Sequence, residues 1–214
     1  MGKETARILT PENKVVILAK NKEKLQTSAK ELNCNFEVCD VADYSQCETA
    51  VQNIIEKYKR IDCLINCAGI WIDGELSEND PQRIKEVLEV NTLGTINLTK
   101  VVIPQMKKQK NGLIINVISQ AGLYHRAGAS VYRASKWAIT GFTKCLQLEL
   151  GKYNIAVTGL YPGLMKTKMF IKAGDSRKLD SALDPAEVAK TIKFILSFDN
   201  TVIFPEIGIK NIYN

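Results

Sequence analysis

Short apolar runs alternate with helix-patterned stretches along the whole of this sequence, and that alternation restricts its fold more than any other feature. Residues 14–18 read as a buried strand, after which Leu25, Ala29 and Leu32 mark one face of a helix. Residues 36–39 form a second strand ending at Asp40, and Val51, Ile54, Ile55 and Tyr58 give the next helix face. Residues 63–67 are a third strand, closed by Ala68 and Gly69. A long helix is expected from near Pro81 to about Lys107, with Asp80 as N-cap ahead of a proline at N1. Residues 114–118 are a fourth strand, followed by a fifth helical pattern, and residues 155–160 are another strand, ending in Pro162 and Gly163. Asp184, Pro185 and Glu187 start a further helix that carries Val188, Ile192 and Ile195 inward. Residues 201–209 are a last strand, in which Pro205 argues for an edge position. Strands that alternate with helices in this way imply an α/β fold, a doubly wound parallel sheet covered by helices on both faces. With no internal repeat or linker, residues 1–214 read as one domain.

In such a sheet, ligands bind beyond the carboxyl ends of the strands. The residues expected there are Lys20, Asp40, Asn66, Cys67, Ala68, Gly69, Ser119, Pro162 and Gly163. Each also has an ordinary role: Asp40 as an N-cap, Asn66 and Gly69 as turn formers, Ser119 as a turn residue. Asn91 falls mid-helix among apolar positions, where a buried amide needs hydrogen-bond partners. It reads either as a helix-kink residue or as a water-holding link in a proton path.

The stretch from Ser119 to Lys136 concentrates the chemistry. Tyr132 and Lys136 are four apart, so on a helix both side chains share a face. A free phenol has a pKa of about 10, and a neighbouring ammonium favours the phenolate, so Lys136 is expected to lower the Tyr132 pKa into a range useful for proton transfer. Ser119 can donate a hydrogen bond to the same substrate oxygen. The trio suits interconversion of a carbonyl and an alcohol. A chain with 7 Tyr and many Lys also produces such a pair by accident, so its weight depends on the rest of the chain.

Composition removes several function classes. No apolar run approaches a membrane span, and the first residues lack the apolar core of a signal peptide. Met1 and Gly2 do not begin a myristoylation signal, because position 6 is Ala. The 6 Cys form no Cys-x-x-Cys pair and there is a single His, so no metal site is expected and a reducing cytoplasm fits. The net charge of +6 is scattered over helix faces: a solvated surface, or a mild attraction for phosphorylated cofactors. No basic cluster interleaved with aromatics marks a nucleic-acid partner.

Taken together, these residues resemble a classical short-chain dehydrogenase/reductase over essentially the whole chain, which implies a Rossmann-like fold. The family's catalytic set is Asn, Ser, Tyr and Lys in that order, and Asn91, Ser119, Tyr132 and Lys136 match it, with thirteen residues from Ser to Tyr. Residues 66–69, Asn-Cys-Ala-Gly, resemble the family's Asn-Asn-Ala-Gly turn at the floor of the adenosine site, with Cys67 as a departure. Asp40 and Val41 match the pair whose carboxylate meets the adenine amino group. Residues 162–167, with Pro162, Gly163 and Thr167, are similar to the Pro-Gly-x-x-x-Thr segment that holds the nicotinamide carboxamide. The resemblance implies that Tyr132 protonates the developing alkoxide, Ser119 stabilises the same oxygen, Lys136 also bonds the nicotinamide ribose, and Asn91 holds a water that resupplies the proton. It also implies a homodimer or homotetramer. Residues 18–22 hold no carboxylate and place Lys20 where NADP-using relatives carry a basic residue, which favours NADP over NAD.

The family begins with a strand and a Thr-Gly-x-x-x-Gly-x-Gly loop, whereas this chain starts at what matches the last glycine, Gly2. The missing strand would lie between those starting near Lys14 and Cys63, leaving both with unpaired backbone groups. An N-terminally truncated active reductase is the favoured explanation, because the catalytic set is complete downstream. A cofactor-deficient binding or structural partner, or compensation by another segment or subunit, are the alternatives. Weak or no dinucleotide binding is expected of these 214 residues alone. The C-terminal sequence resembles the branch acting on small ketones, hydroxy acids or pterin-like carbonyls, and residues 165–183 are expected to form a substrate lid.

Overall fold

The computed structural model describes residues 1–175, 178–199 and 201–213. Helix α1 (Gly2–Leu9) precedes β1 (Val16–Ala19), α2 (Lys22–Leu32), β2 (Asn35–Val38), α3 (Tyr44–Tyr58) and β3 (Cys63–Asn66). Then come α4 (Pro81–Leu88), α5 (Gly94–Gln109), β4 (Gly112–Val117), α6 (Ser130–Leu150), β5 (Ile155–Pro162), the short α7 (Met169–Lys172), α8 (Pro185–Leu196) and β6 (Glu206–Ile209). Among the described residues, polar caps set four of the eight helix starts: Asn21, Asp43, Asp80 and Asp184 each accept a hydrogen bond from a backbone N–H of the first turn. The cap of α3 is therefore Asp43 and not Asp40, whose carboxylate instead accepts from Ala42 N at 3.1 Å.

Every strand pair is parallel, as the alternation predicts, in the order β1-β2 and β3-β4-β5-β6. Alternate residues of the central strands feed opposite faces. Ile114 and Val157 pack with Cys47, Val51, Leu98 and Met106 of α3 and α5, whereas Leu113, Ile115 and Ala156 pack with Leu9, Val188 and Ile192 of α1 and α8. Helices thus cover both faces. No ladder joins β1 to β3 among the described residues, so the sheet is interrupted at the place where the family's first strand would lie. The two parts still share cores: Leu18 and Leu64 pack on one face, Val15 and Cys63 on the other.

Two expected elements differ. The long helix after Pro81 is divided by a π turn over Glu89–Leu93, which centres on Asn91. The last strand starts at Glu206, beyond Pro205, because Asp199 and Thr201 close a turn first; residue 200 lies outside the described residues. Pro205 accepts from Gly159 N at 3.0 Å at the mouth of this edge strand, where its lack of an N–H costs nothing.

Candidate active site

The π turn sets the geometry behind the site. It aims the fully buried Asn91 amide at the chain leaving β3, where Oδ1 accepts from Ile70 N at 2.8 Å and Nδ2 donates to Ile70 O at 3.0 Å. The second Nδ2 hydrogen goes to Ser135 Oγ of α6 at 3.1 Å, and that hydroxyl donates to Tyr132 O at 2.6 Å. Asn91 therefore pins both the segment after Gly69 and the helix turn that carries Tyr132. A Cβ added at Gly69 would lie 3.5 Å from Asn91 Oδ1 and 3.6 Å from Lys136 Nζ, so the amide oxygen and the amine converge on one backbone position.

Ser119 follows β4 with φ +139°, a conformation ordinarily left to glycine and worth about 1–3 kcal/mol of strain. Its Oγ accepts from Ala121 N at 3.1 Å. Tyr132 and Lys136 are each 5% exposed, and Lys136 Nζ lies 5.8 Å from the Tyr132 ring centre and donates to Val117 O at 3.4 Å. Burial pushes the Tyr132 phenol up to about 12, against a hydrogen bond with Ser119 and the charge of Arg133 that pull it down. Burial also pushes Lys136 down to about 8, partly opposed by Cys67. The expected lowering of the phenol pKa by Lys136 is thus not met here. Desolvation of the phenolate outweighs the Ser119 hydrogen bond and the Arg133 charge together.

A cavity of about 540 Å³ opens at these groups. It brings together Gly2, Ala68, Gly69, Ser119, Tyr132, Lys136, Pro162, Gly163 and Thr167 from widely separated parts of the chain. Asn91 stands directly behind Gly69. Asn66 faces inward instead: it donates to Thr99 Oγ1 at 3.1 Å and Asn116 Oδ1 at 2.9 Å, and Asn116 donates to Thr143 Oγ1 at 2.9 Å. Val41 is buried against α5, where Asn97 donates to its carbonyl at 3.0 Å. Lys20 and Asp40 form an ion pair at 3.5 Å at the ends of β1 and β2, outside the cavity. A larger hollow of about 670 Å³ between α3 and α5 contains none of these residues.

Among the lining side chains that sequence reasoning did not single out are Trp71, Arg126 and Arg133. Trp71 lies 4.4 Å from Tyr132, ring centre to ring centre, and 5.3 Å from Phe170. Arg126 and Arg133 line the same cavity. Their only sequence signal was position, two residues past Gly69 for Trp71 and between or beside Ser119 and Tyr132 for the arginines. The expected lid holds α7 and a bridge between Met165 and Leu183, with Met169 and Phe170 on the cavity; residues 176 and 177 lie outside the described residues. Among the described residues there is no group of three or more metal-ligating side chains, and no helix is long and apolar enough to cross a membrane.

Residues 1–178 match the protein family described as short chain dehydrogenase. A 3-oxoacyl-(acyl-carrier-protein) reductase of Thermotoga maritima is 34% identical over 95% of this chain and 88% of its own length. A 3-dehydrosphinganine reductase of Danio rerio is 34% identical over 85% of this chain, which spans 57% of that relative. Among solved structures, a variant of actinorhodin polyketide ketoreductase with NADPH aligns with a TM-score of 0.90 and 28% identity, over 98% of this chain and 91% of its own.

Proposed function

The chain belongs to the short-chain dehydrogenase family and is an NAD(P)-dependent oxidoreductase, and on that premise we propose that it interconverts a small-molecule ketone or aldehyde and its alcohol, with NADPH as reductant. The observation that carries this reading is the meeting of Ser119, Tyr132 and Lys136 in one cavity, backed by Asn91.

The cavity fits a nicotinamide dinucleotide on chemical grounds. Its lining includes the amine of Lys136 and the start of α1, where a Cβ added at Gly2 would lie 3.5 Å from Cys67 Cβ, and among the described residues it contains no carboxylate. Pro162, Gly163 and Thr167 would hold the carboxamide, Tyr132 and Lys136 the adjoining ribose, and Gly2 the pyrophosphate. Ala68, Gly69 and the framework Asn66 would floor the adenosine site, with Asp40 and Val41 at the adenine. Lys20, 62% exposed, is free to leave Asp40 for a 2′-phosphate, which supports NADP. When bound, the reduced nicotinamide supplies the hydride.

The chain's own groups manage the proton. Tyr132 gives its phenol proton to the carbonyl oxygen, and Ser119 donates a hydrogen bond to that oxygen, the kind of preorganised donor worth about 3 kcal/mol. A phenol held near 12 is matched to an alkoxide-like oxygen rather than to a neutral carbonyl, so the proton moves as charge develops. A bound anion beside Lys136 would raise its pKa again and strengthen its hold on the proton, and with it the field on Tyr132. Both Nδ2 hydrogens of Asn91 are spent, so Asn91 can only accept, from Lys136 or from a water that resupplies the proton.

Cytoplasmic residence is part of the proposal, as is assembly into a homodimer or homotetramer, supported by the exposed Leu93, Trp137 and Leu148 on the α5–α6 side. The test is run at saturating NADPH. Tyr132→Phe should abolish NADPH oxidation with a panel of small ketones. An unaffected rate would remove Tyr132 as the acid.

A further inference from the structure

Among the described residues the charges lining the cavity are all of one sign, and two of them take no part in the proton transfer just described. Arg126 and Arg133 line it together with Trp71 and Phe170, and among the described residues no Asp or Glu does. Arg133 Nη1 donates to the carbonyl of Tyr124, and Gly74 N donates to Gly128 O at 2.9 Å, so the loop carrying Arg126 is tied to both α6 and the segment carrying Trp71. Arg126 makes no ion pair or hydrogen bond among the described residues. Arg133 Nε is buried without a hydrogen-bond partner among them, and burial together with the Arg126 charge pushes its pKa down. Two guanidiniums that repel each other and line one cavity without an ion pair among the described residues form a site suited to an oxyanion.

We propose that the carbonyl substrate is an oxo acid whose carboxylate is bound between Arg126 and Arg133 while its carbonyl faces Tyr132. This rests on the reductase reading above and narrows it. The carbon chain between the two groups lies on Trp71 and Phe170. A ketone carrying an amine meets like charge in this cavity and is disfavoured.

The test uses a series of 2-, 3-, 4- and 5-oxo acids with their methyl esters, which keep the carbonyl and lose the charge. For the best chain length, kcat/KM should favour acid over ester by about tenfold or more, mostly through KM, as expected for a charge-assisted pair. Arg126→Gln should bring the acid-to-ester ratio to within about threefold, and Arg126→Lys should retain part of it. Equal use of acid and ester by the unaltered protein, or a ratio that survives Arg126→Gln, overturns the proposal while leaving the reductase reading intact. Binding is followed separately through Trp71 fluorescence. Acid binding that is lost in Arg126→Gln, without turnover of either compound, supports the carboxylate site and removes the reductase reading. Absence of both turnover and acid binding overturns both.

Discussion

β4 and β5 pair over six residues and are buried along nearly their whole length, whereas β1 and β2 pair over four and bury theirs only in part. The difference continues into the polar groups. The four-stranded part carries a closed chain of buried hydrogen bonds, Thr99–Asn66–Asn116–Thr143, and at its edge the fully enclosed Asn91. The two-stranded part ends in Lys20 and Asp40, an exposed ion pair. Proton transfer needs groups held to within a fraction of an ångström and kept from water, and the residues suited to it stand on the rigid part. Recognition of the far end of a dinucleotide tolerates looser placement, and its candidates stand on the other. If that division is real, substitutions should separate cleanly by region.

The largest separation concerns activity against stability at a single position. Tyr132→Phe removes one proton donor and no packing volume. It should lower kcat by about 10²–10⁴-fold, the usual range for a general acid, while the melting temperature stays the same or rises. A fall in stability matching the fall in rate would make the phenol structural instead.

Next comes a matched pair of core truncations. Leu160→Ala in β5, at a fully buried position, should cost about 3–5 kcal/mol in denaturant unfolding, the upper part of the range for buried leucines. Leu18→Ala in β1, only partly buried, should cost about 1–2 kcal/mol because its neighbours and water refill the space. Equal costs would mean that the two-stranded part is as tightly built as the other.

Lys136 sits on the rigid part and should cost stability there. Its ammonium is protonated near 10.5 in the unfolded chain and is pushed down to about 8 by burial in the fold. Below about pH 8 both states are protonated and the folded state bears the full desolvation cost. Between 8 and 10.5 the unfolded chain holds more protons, so stability rises with pH until the cost is gone. Lys136→Met should therefore stabilise by roughly 1–3 kcal/mol below pH 8, with the gain vanishing above about 10.5, while activity is lost. Chemical denaturation at several pH values reads this directly.

How much of this was visible in the sequence follows the same division between local and long-range. The strands, the Asp184 and Asp80 caps and the edge role of Pro205 depend on neighbours in the chain, and each was legible. So was the convergence of Ser119, Tyr132 and Lys136, through spacing and strand ends. The π turn was not, because it is stabilised by Ile70 and Ser135, which lie 21 and 44 residues from Asn91. The contact of Trp71 with Tyr132 and the positive φ of Ser119 are likewise products of packing. The reversed pKa of Tyr132 has the same origin: a four-residue spacing predicts proximity to an ammonium but carries no information about how much water both groups lose.

The smallest expected effect tests the looser part. Lys20→Ala breaks a pair held at 3.5 Å between side chains that are 62% and 30% exposed, so stability should change by less than about 0.5 kcal/mol and the change should shrink further in salt. Lys20 also has a second consequence in the proposed cofactor site. A lysine that turns from Asp40 to a 2′-phosphate gives one charge-assisted contact, and its loss should raise the KM for NADPH by about tenfold with kcat and the KM for NADH little changed. Removal also frees Asp40, whose unbalanced charge should repel the 2′-phosphate further. A Lys20→Ala, Asp40→Asn double variant should then regain part of the NADPH affinity, and failure to regain any would place the 2′-phosphate away from the ends of β1 and β2.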